Sequence, residues 1–170
     1  MSSSSNSTKL SLRELAVLAI LGALCFALKL VMAVLPNIEP VTLILTLTTL
    51  VYGRKAFYTC YVYVLLEALV YGFGLWWFAY LYVWAILILL ILPLRKRENY
   101  LLLTVVCTGF GLCFGGLCSL VYLVTGGPAM AFSWWIAGIP YDLLHAAGNA
   151  VMAALLLRPL HRLTEKMNIF

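Results

Sequence analysis

Apolar residues in this chain come in long, nearly unbroken runs, covering residues 11–35, 38–52, 56–71, 75–94, 100–124 and 133–157. A helix needs about 20 apolar residues to cross a bilayer, and runs that are apolar on every face predict buried or lipid-facing helices. The connections between the runs alternate in kind. Those after the first, third and fifth runs hold no Lys or Arg: Pro36-Asn37, Gly72-Phe73-Gly74 and residues 125–132. The N-terminal segment (Lys9, Arg13), the second connection (Arg54, Lys55), the fourth (Arg95, Lys96, Arg97) and the C-terminal segment (Arg158, Arg162, Lys166) hold ten of the eleven basic residues. Basic segments stay cytoplasmic. The expected architecture is therefore an all-α integral membrane protein, a six-transmembrane-helix bundle with both termini cytoplasmic. Residues 1–10 and 159–170 would be cytoplasmic tails and 11–158 the membrane domain.

The second run strains this scheme. Its 15 residues extend only about 22 Å as a helix, against a hydrocarbon core of about 30 Å. A re-entrant segment there would carry Arg54 and Lys55 to the outside and invert everything downstream, so the run is read as a short span.

Composition narrows the classes. Hydrophobic residues make up 65% of the 170 and charged residues 10%, where soluble domains have about 45–50% and about 25%. Six spans use nearly the whole chain, leaving no room for a soluble domain. The net charge of +5 is accounted for by the basic connections, so nucleic acid is not an expected partner. The first apolar run is long and lacks a small-residue cleavage site, which argues against a cleaved signal peptide. The five cysteines all fall inside predicted helices, form no CxxC pair and are odd in number; they read as small packing residues, with no metal site expected. There is no phosphate-binding glycine loop, no HExxH and no GxSxG, so neither an ATP-driven step nor a hydrolytic site is expected of this chain itself. No cofactor is expected either.

Ionisable groups within apolar helices are costly and mark candidate sites. Measured from the basic ends at about 1.5 Å per residue, Lys29, Glu67, Asp142 and His145 all reach the outer half of the membrane. Gly138, Asp142, His145 and Asn149 are spaced four, three and four apart, one face of the last helix. Trp77, Tyr80 and Trp84 make a second stripe on the fourth. Tyr63, Glu67 and Tyr71 make a third. Aromatic faces suit a flat ring, with Asp142 and His145 offering hydrogen bonds or Asp142 or Glu67 offsetting a positive charge. Lys29 reads either as a site residue or as a cation snorkelling to the interface, and Asp142 either as a pocket group or as its partner. Trp76, Trp77, Trp134 and Trp135 also fit an interfacial aromatic belt. The Gly126-Gly127-Pro128 connection and the Pro36–Pro40 turn holding Asn37 and Glu39 look like lids over a cup open to the outside. On the first helix Ala19, Ala23 and Ala27 form a small-residue stripe that lets another helix approach closely, inside the bundle or from a partner.

Taken together, the size, the six runs, the alanine stripe and the last run, Ile139-Pro140-Tyr141-Asp142-Leu143-Leu144-His145-Ala146-Ala147-Gly148-Asn149 leading to Arg158-Pro159-Leu160, resemble the substrate-binding S components of energy-coupling factor (ECF) vitamin transporters. The resemblance covers nearly the whole chain. It implies a multi-pass protein of a prokaryotic plasma membrane that captures a vitamin-like small molecule from outside. Delivery would then need a membrane T component and two cytoplasmic ATPase subunits. It also implies that Ala19, Ala23 and Ala27 face the T component. The substrate site would be built from Asn37, Glu39, Trp77, Tyr80, Trp84, Asp142, His145 and Asn149, with Glu67 a further candidate. No signature for a single vitamin is present. The competing expectation is an intramembrane enzyme using Asp142, His145 and Glu67.

Overall fold

A computed structural model describes residues 10–35, 37–97 and 99–166. Every regular element among them is helical: α1 Leu12–Val31, α2 Val41–Tyr52, α3 Ala56–Tyr71, α4 Leu75–Ile91, α5 Tyr100–Met152 and α6 Arg158–Lys166. Short 3-10 turns, Gly53–Lys55 and Leu92–Leu94, follow α2 and α4, and a π-helical turn, Ala153–Leu157, links α5 to α6. Three helices among the described residues are long and apolar enough to cross a membrane: Leu12–Val31, Leu75–Leu94 and Tyr100–Lys166. The exterior agrees with that property. Leu12, Ile20, Val31, Leu69, Leu101 and Val124 are largely exposed, a distribution suited to hydrocarbon rather than to water.

The last two apolar runs are joined more tightly than their sequence suggests. An eight-residue connection over 125–132 is expected, but helical hydrogen bonding continues to a single break at Gly127, with φ 78° and ψ −179°. Glycine enters that region without a Cβ penalty. Pro128 then starts the second arm, where a missing N–H costs little. The two arms of α5, 100–126 and 128–152, lie antiparallel. Gly115 N donates to Asp142 Oδ1 at 2.8 Å, and Asn149 Nδ2 donates to Cys107 O at 3.1 Å. Gly111 sits where the arms touch, since a Cβ there would stand 2.8 Å from both N and Cα of Ala146. With α5 folded back, the chain forms six apolar rods.

Cross-links between the rods show that they alternate in direction. α1 and α3 run parallel, joined by Lys55 to Glu14 at 2.7 Å and Thr59 Oγ1 to Leu18 O at 2.9 Å near one end, and by Lys29 to Glu67 at 3.0 Å near the other. Gly22 brings their backbones together, a Cβ there falling 2.7 Å from Thr59 O. α4 runs against α3, with Trp77 Nε1 donating to Val64 O and Tyr61 Oη to Leu81 O. It also runs against the first arm of α5, with Tyr82 Oη donating to Leu117 O at 2.7 Å.

The short α2 is the centre of this arrangement. It contacts α1, α3, α4, α5 and α6, and nine of its twelve residues are buried. Twelve residues rise about 18 Å, well short of a bilayer core, and burial by neighbours rather than length explains its apolar character. Two of its four threonines satisfy themselves locally, Thr48 and Thr49 donating to Ile44 O and Leu45 O, both at 2.7 Å, while Thr42 and Thr46 meet His145 and Cys107 of α5. Its last carbonyls are closed by Arg95, whose Nε and Nη2 donate to Leu50 O and Val51 O. Ser11 and Glu14 form a capping box at the start of α1, and Tyr100 is hydrogen-bonded to His161 at 2.9 Å. These ties gather Arg13, Lys55, Arg95 and the start of α6 at one end of the bundle. Residues 32–35 and 37–40, the connection 72–74 and the Gly127 turn lie at the other.

Candidate functional site

The end opposite Lys55 and Arg95 holds a cavity of about 590 Å³, within the range of about 300–1,000 Å³ typical of small-molecule sites. Its walls are aromatic: Trp76 and Tyr80 from α4, Phe114 and Tyr122 from the first arm of α5, Trp134 and Tyr141 from the second. Tyr122 and Trp134 stack across the arms at 4.3 Å between centroids and 17° between planes. Trp76 meets Tyr80 edge-on at 5.3 Å. Gly115, Ala137 and Gly138 leave flat wall between the rings, and Asn37, Ser133 and Asp142 supply polarity. Asn37 takes a left-handed backbone, φ 54°, a conformation asparagine tolerates better than most residues. A groove of about 640 Å³ on the exterior, between Phe78, Tyr82 and Val121, is almost wholly apolar and offers nothing to orient a ligand.

Asp142 is the chemically unusual member of the wall. Its side chain is 3% exposed. Oδ1 accepts from Gly115 N, while Oδ2 has no hydrogen-bond partner among the described residues. A buried polar atom left unpaired costs about 1–3 kcal/mol, more when charged, so this oxygen is poised for a donor.

The other residues singled out from the sequence fall into three places. Asn37, Tyr80 and Asp142 line the cavity together. His145 and Asn149 lie deeper on the Asp142 face. His145 Nε2 is 3.4 Å from Thr42 Oγ1 and its ring packs edge-on against Phe114 at 4.7 Å, and Asn149 reaches the Cys107 carbonyl. Trp84 is fully buried among Tyr63, Phe110 and Phe114, while Trp77 turns its indole N–H to α3. Glu39 and Lys29 border a separate cavity of about 240 Å³, which shares Asn37 with the larger one. Lys29 pairs with Glu67 rather than Asp142, donates to Tyr80 Oη at 3.3 Å and lies 5.0 Å from the Tyr80 ring centroid.

Trp76, Phe114, Tyr122, Trp134 and Tyr141 were not among the residues singled out for the site. Their signal is in the spacing. Phe114, Cys118 and Tyr122 are four apart, and Trp134, Gly138 and Asp142 are four apart, so each set shares one helical face. Extending the Asp142 stripe one turn upward from Gly138 reaches Trp134.

Among the described residues no three His, Cys, Asp or Glu side chains gather as metal ligands. No hydrogen bond joins any two of Asp142, His145 and Glu67 there either; each engages a different partner. On α1, Ala23 and Ala27 are exposed and Ala19 half-buried, while α1 uses its Leu18, Gly22 and Cys25 face to pack inward. Comparison with known protein families, characterised proteins and solved structures gives no match. The fold and cavity thus define a class, an all-α bundle with membrane-compatible helices and a ligand-sized pocket at one end.

Proposed function

We propose that the chain is the substrate-binding membrane subunit of an ECF-type importer, a six-span protein of a prokaryotic plasma membrane with both termini cytoplasmic. The observation that carries this reading is the aromatic cavity with one unpartnered, buried carboxylate oxygen, set at the end of the bundle opposite the basic connections Arg54-Lys55 and Arg95–Arg97. By the charge rule that end faces outward, so the cavity is placed to capture a vitamin-like small molecule from outside. Capture is the whole of this chain's task in the reading. The T component and two ATPase subunits would supply the energy and the passage inward.

The exposed alanine ridge supports the partner half of the proposal. The bundle packs α1 through its glycine face and leaves Ala23 and Ala27 uncovered. In lipid, helices associate through close packing rather than hydrophobicity, so a small-residue ridge left outside is suited to a helix of another subunit.

The test begins with the purified protein. Denaturing it and identifying the released small molecule by mass spectrometry should yield a stoichiometric heterocyclic compound. Proteoliposomes should accumulate that compound only when a T component and ATPases are co-reconstituted with ATP. A protein that releases nothing and binds no vitamin from a panel would refute the reading. Accumulation by the chain alone would refute the importer-subunit half.

A further inference from the structure

The charge inventory of the cavity specifies the chemistry of its occupant. Among the described residues no Lys, Arg or His side chain lines it, and Asp142 is its sole carboxylate. The nearest cation on the α4 side, the Lys29 ammonium, is engaged by Glu67 and by the Tyr80 oxygen. The Asn37 amide and the Ser133 hydroxyl can each donate or accept, so two other polar atoms bias the binding pattern. Asp142 Oδ2 is buried, unpartnered and able only to accept. Tyr80 already accepts from Lys29, which leaves its own hydroxyl proton to donate. Around them the wall is π-surface, and such faces attract positive charge while repelling negative.

We infer that the cavity takes a planar nitrogen heteroaromatic, neutral or cationic, that presents an N–H donor edge to Asp142 Oδ2, and that it rejects carboxylate- or phosphate-bearing ligands of the same size. This rests on the reading of the cavity as the capture site, and it specifies the substrate class of that site. An amino-substituted azine fits each demand. Its N–H groups satisfy the carboxylate, a ring nitrogen accepts from Tyr80, and its faces lie between Trp76, Phe114 and the Tyr122–Trp134 pair. An anion of equal size would face Asp142 with no cation to offset the repulsion. Gly115 keeps the carboxylate in place, since a Cβ there would stand 2.6 Å from Oδ2.

The test uses full-length protein in mild detergent, with quenching of the cavity tryptophans as the readout. The two probes are matched bicyclic compounds, 2,4-diaminoquinazoline and quinoline-2-carboxylate. The diamino compound should bind saturably and on the order of tenfold or more tighter than the carboxylate, the scale of a hydrogen bond to a charged group. Asp142→Asn keeps the acceptor for Gly115 but replaces Oδ2 by an N–H donor. It should weaken the diamino probe on the order of tenfold and strengthen the carboxylate. Ser133→Asp, at an exposed rim position, should do the opposite and guards against a folding defect at Asp142. Equal or tighter binding of the carboxylate, no saturable binding of the diamino probe, or a preference unmoved by both variants overturns the inference. An anionic molecule released from the native protein overturns it while leaving the capture reading intact. Release of nothing, with no binding of either probe or of the vitamin panel, ends both.

Discussion

Lys29→Met removes the one ion-pair partner Glu67 has among the described residues, and the two sides of that pair are not equivalent. The Glu67 side chain is 1% exposed and that of Lys29 24%. Lys29 engages Oε2, and Oε1 has no hydrogen-bond partner among the described residues, so Lys29→Met strands a buried carboxylate. Removing one partner of a buried pair costs about 3–5 kcal/mol. The partial access of Lys29 to its surroundings argues for the lower end, about 3 kcal/mol. Glu67→Gln instead leaves Lys29, which retains Tyr80 as an acceptor and a route outward, and should cost about 1 kcal/mol. At about 2–4 °C per kcal/mol for a chain of this size, the melting temperature should fall about 6–12 °C for Lys29→Met and about 2–4 °C for Glu67→Gln. The double replacement Lys29→Met with Glu67→Leu should recover most of the loss, because apolar side chains of similar volume replace buried pairs at little cost. Thermal unfolding followed by tryptophan fluorescence, all variants in one detergent, measures the series. Equal losses for the two single variants, or a double variant less stable than Lys29→Met, would refute the reasoning.

Gly127→Ala forces a Cβ into the left-handed turn between the α5 arms, which should cost about 1–2 kcal/mol and lower the melting temperature by several degrees. A melt identical to wild type would show that the arms reconnect by another route. Ala23→Arg places a long charged side chain on the exposed ridge of α1. It should abolish uptake in proteoliposomes containing the partner subunits while leaving ligand binding to the isolated chain unchanged, and a variant that loses binding instead would mean that the ridge is internal.

The helical character and the boundaries of most rods were legible because long apolar runs bounded by Gly, Pro and basic clusters leave few alternatives. What periodicity resolves poorly is depth and pairing. The stripe from Asp142 to Asn149 is a real face, with Asp142, His145 and Asn149 all buried. Seven residues, however, rise about 10 Å along a helix, so only the Asp142 end reaches the cavity while Asn149 is spent on the Cys107 carbonyl. The Trp77–Trp84 stripe is equally long. Tyr80 faces the cavity, and the neighbouring indole that lines it is Trp76, about 100° round the helix from Trp77. The Gly127 hairpin was masked by the Gly126-Gly127-Pro128 run, which resembles a loop although its backbone is helical on both sides of one residue. The pairing of Lys29 with Glu67 rather than Asp142 depends on α1 packing against α3, and no one-dimensional pattern encodes which rods touch.

The residues just beneath the cavity still bear on binding, through Phe114. The rings of Tyr63, Trp84, Phe114 and His145 form a column across the bundle, with successive centroids 5.8, 5.2 and 4.7 Å apart. Only Phe114 in this column also lines the cavity. His145 is then a positioning residue, with its effect on a bound ligand transmitted by the ring it supports. Double-mutant cycles distinguish this from direct contact. His145→Leu should weaken binding of the released ligand by about 1 kcal/mol, the scale of one aromatic pair, and should have almost no effect once Phe114 is replaced by Leu. The stability loss of His145→Leu should persist in both backgrounds, since Thr42 also lies against His145, and that separates loss of fold from loss of positioning. Additive effects on binding would mean that His145 reaches the ligand itself, and that the cavity extends below Phe114 when it is filled.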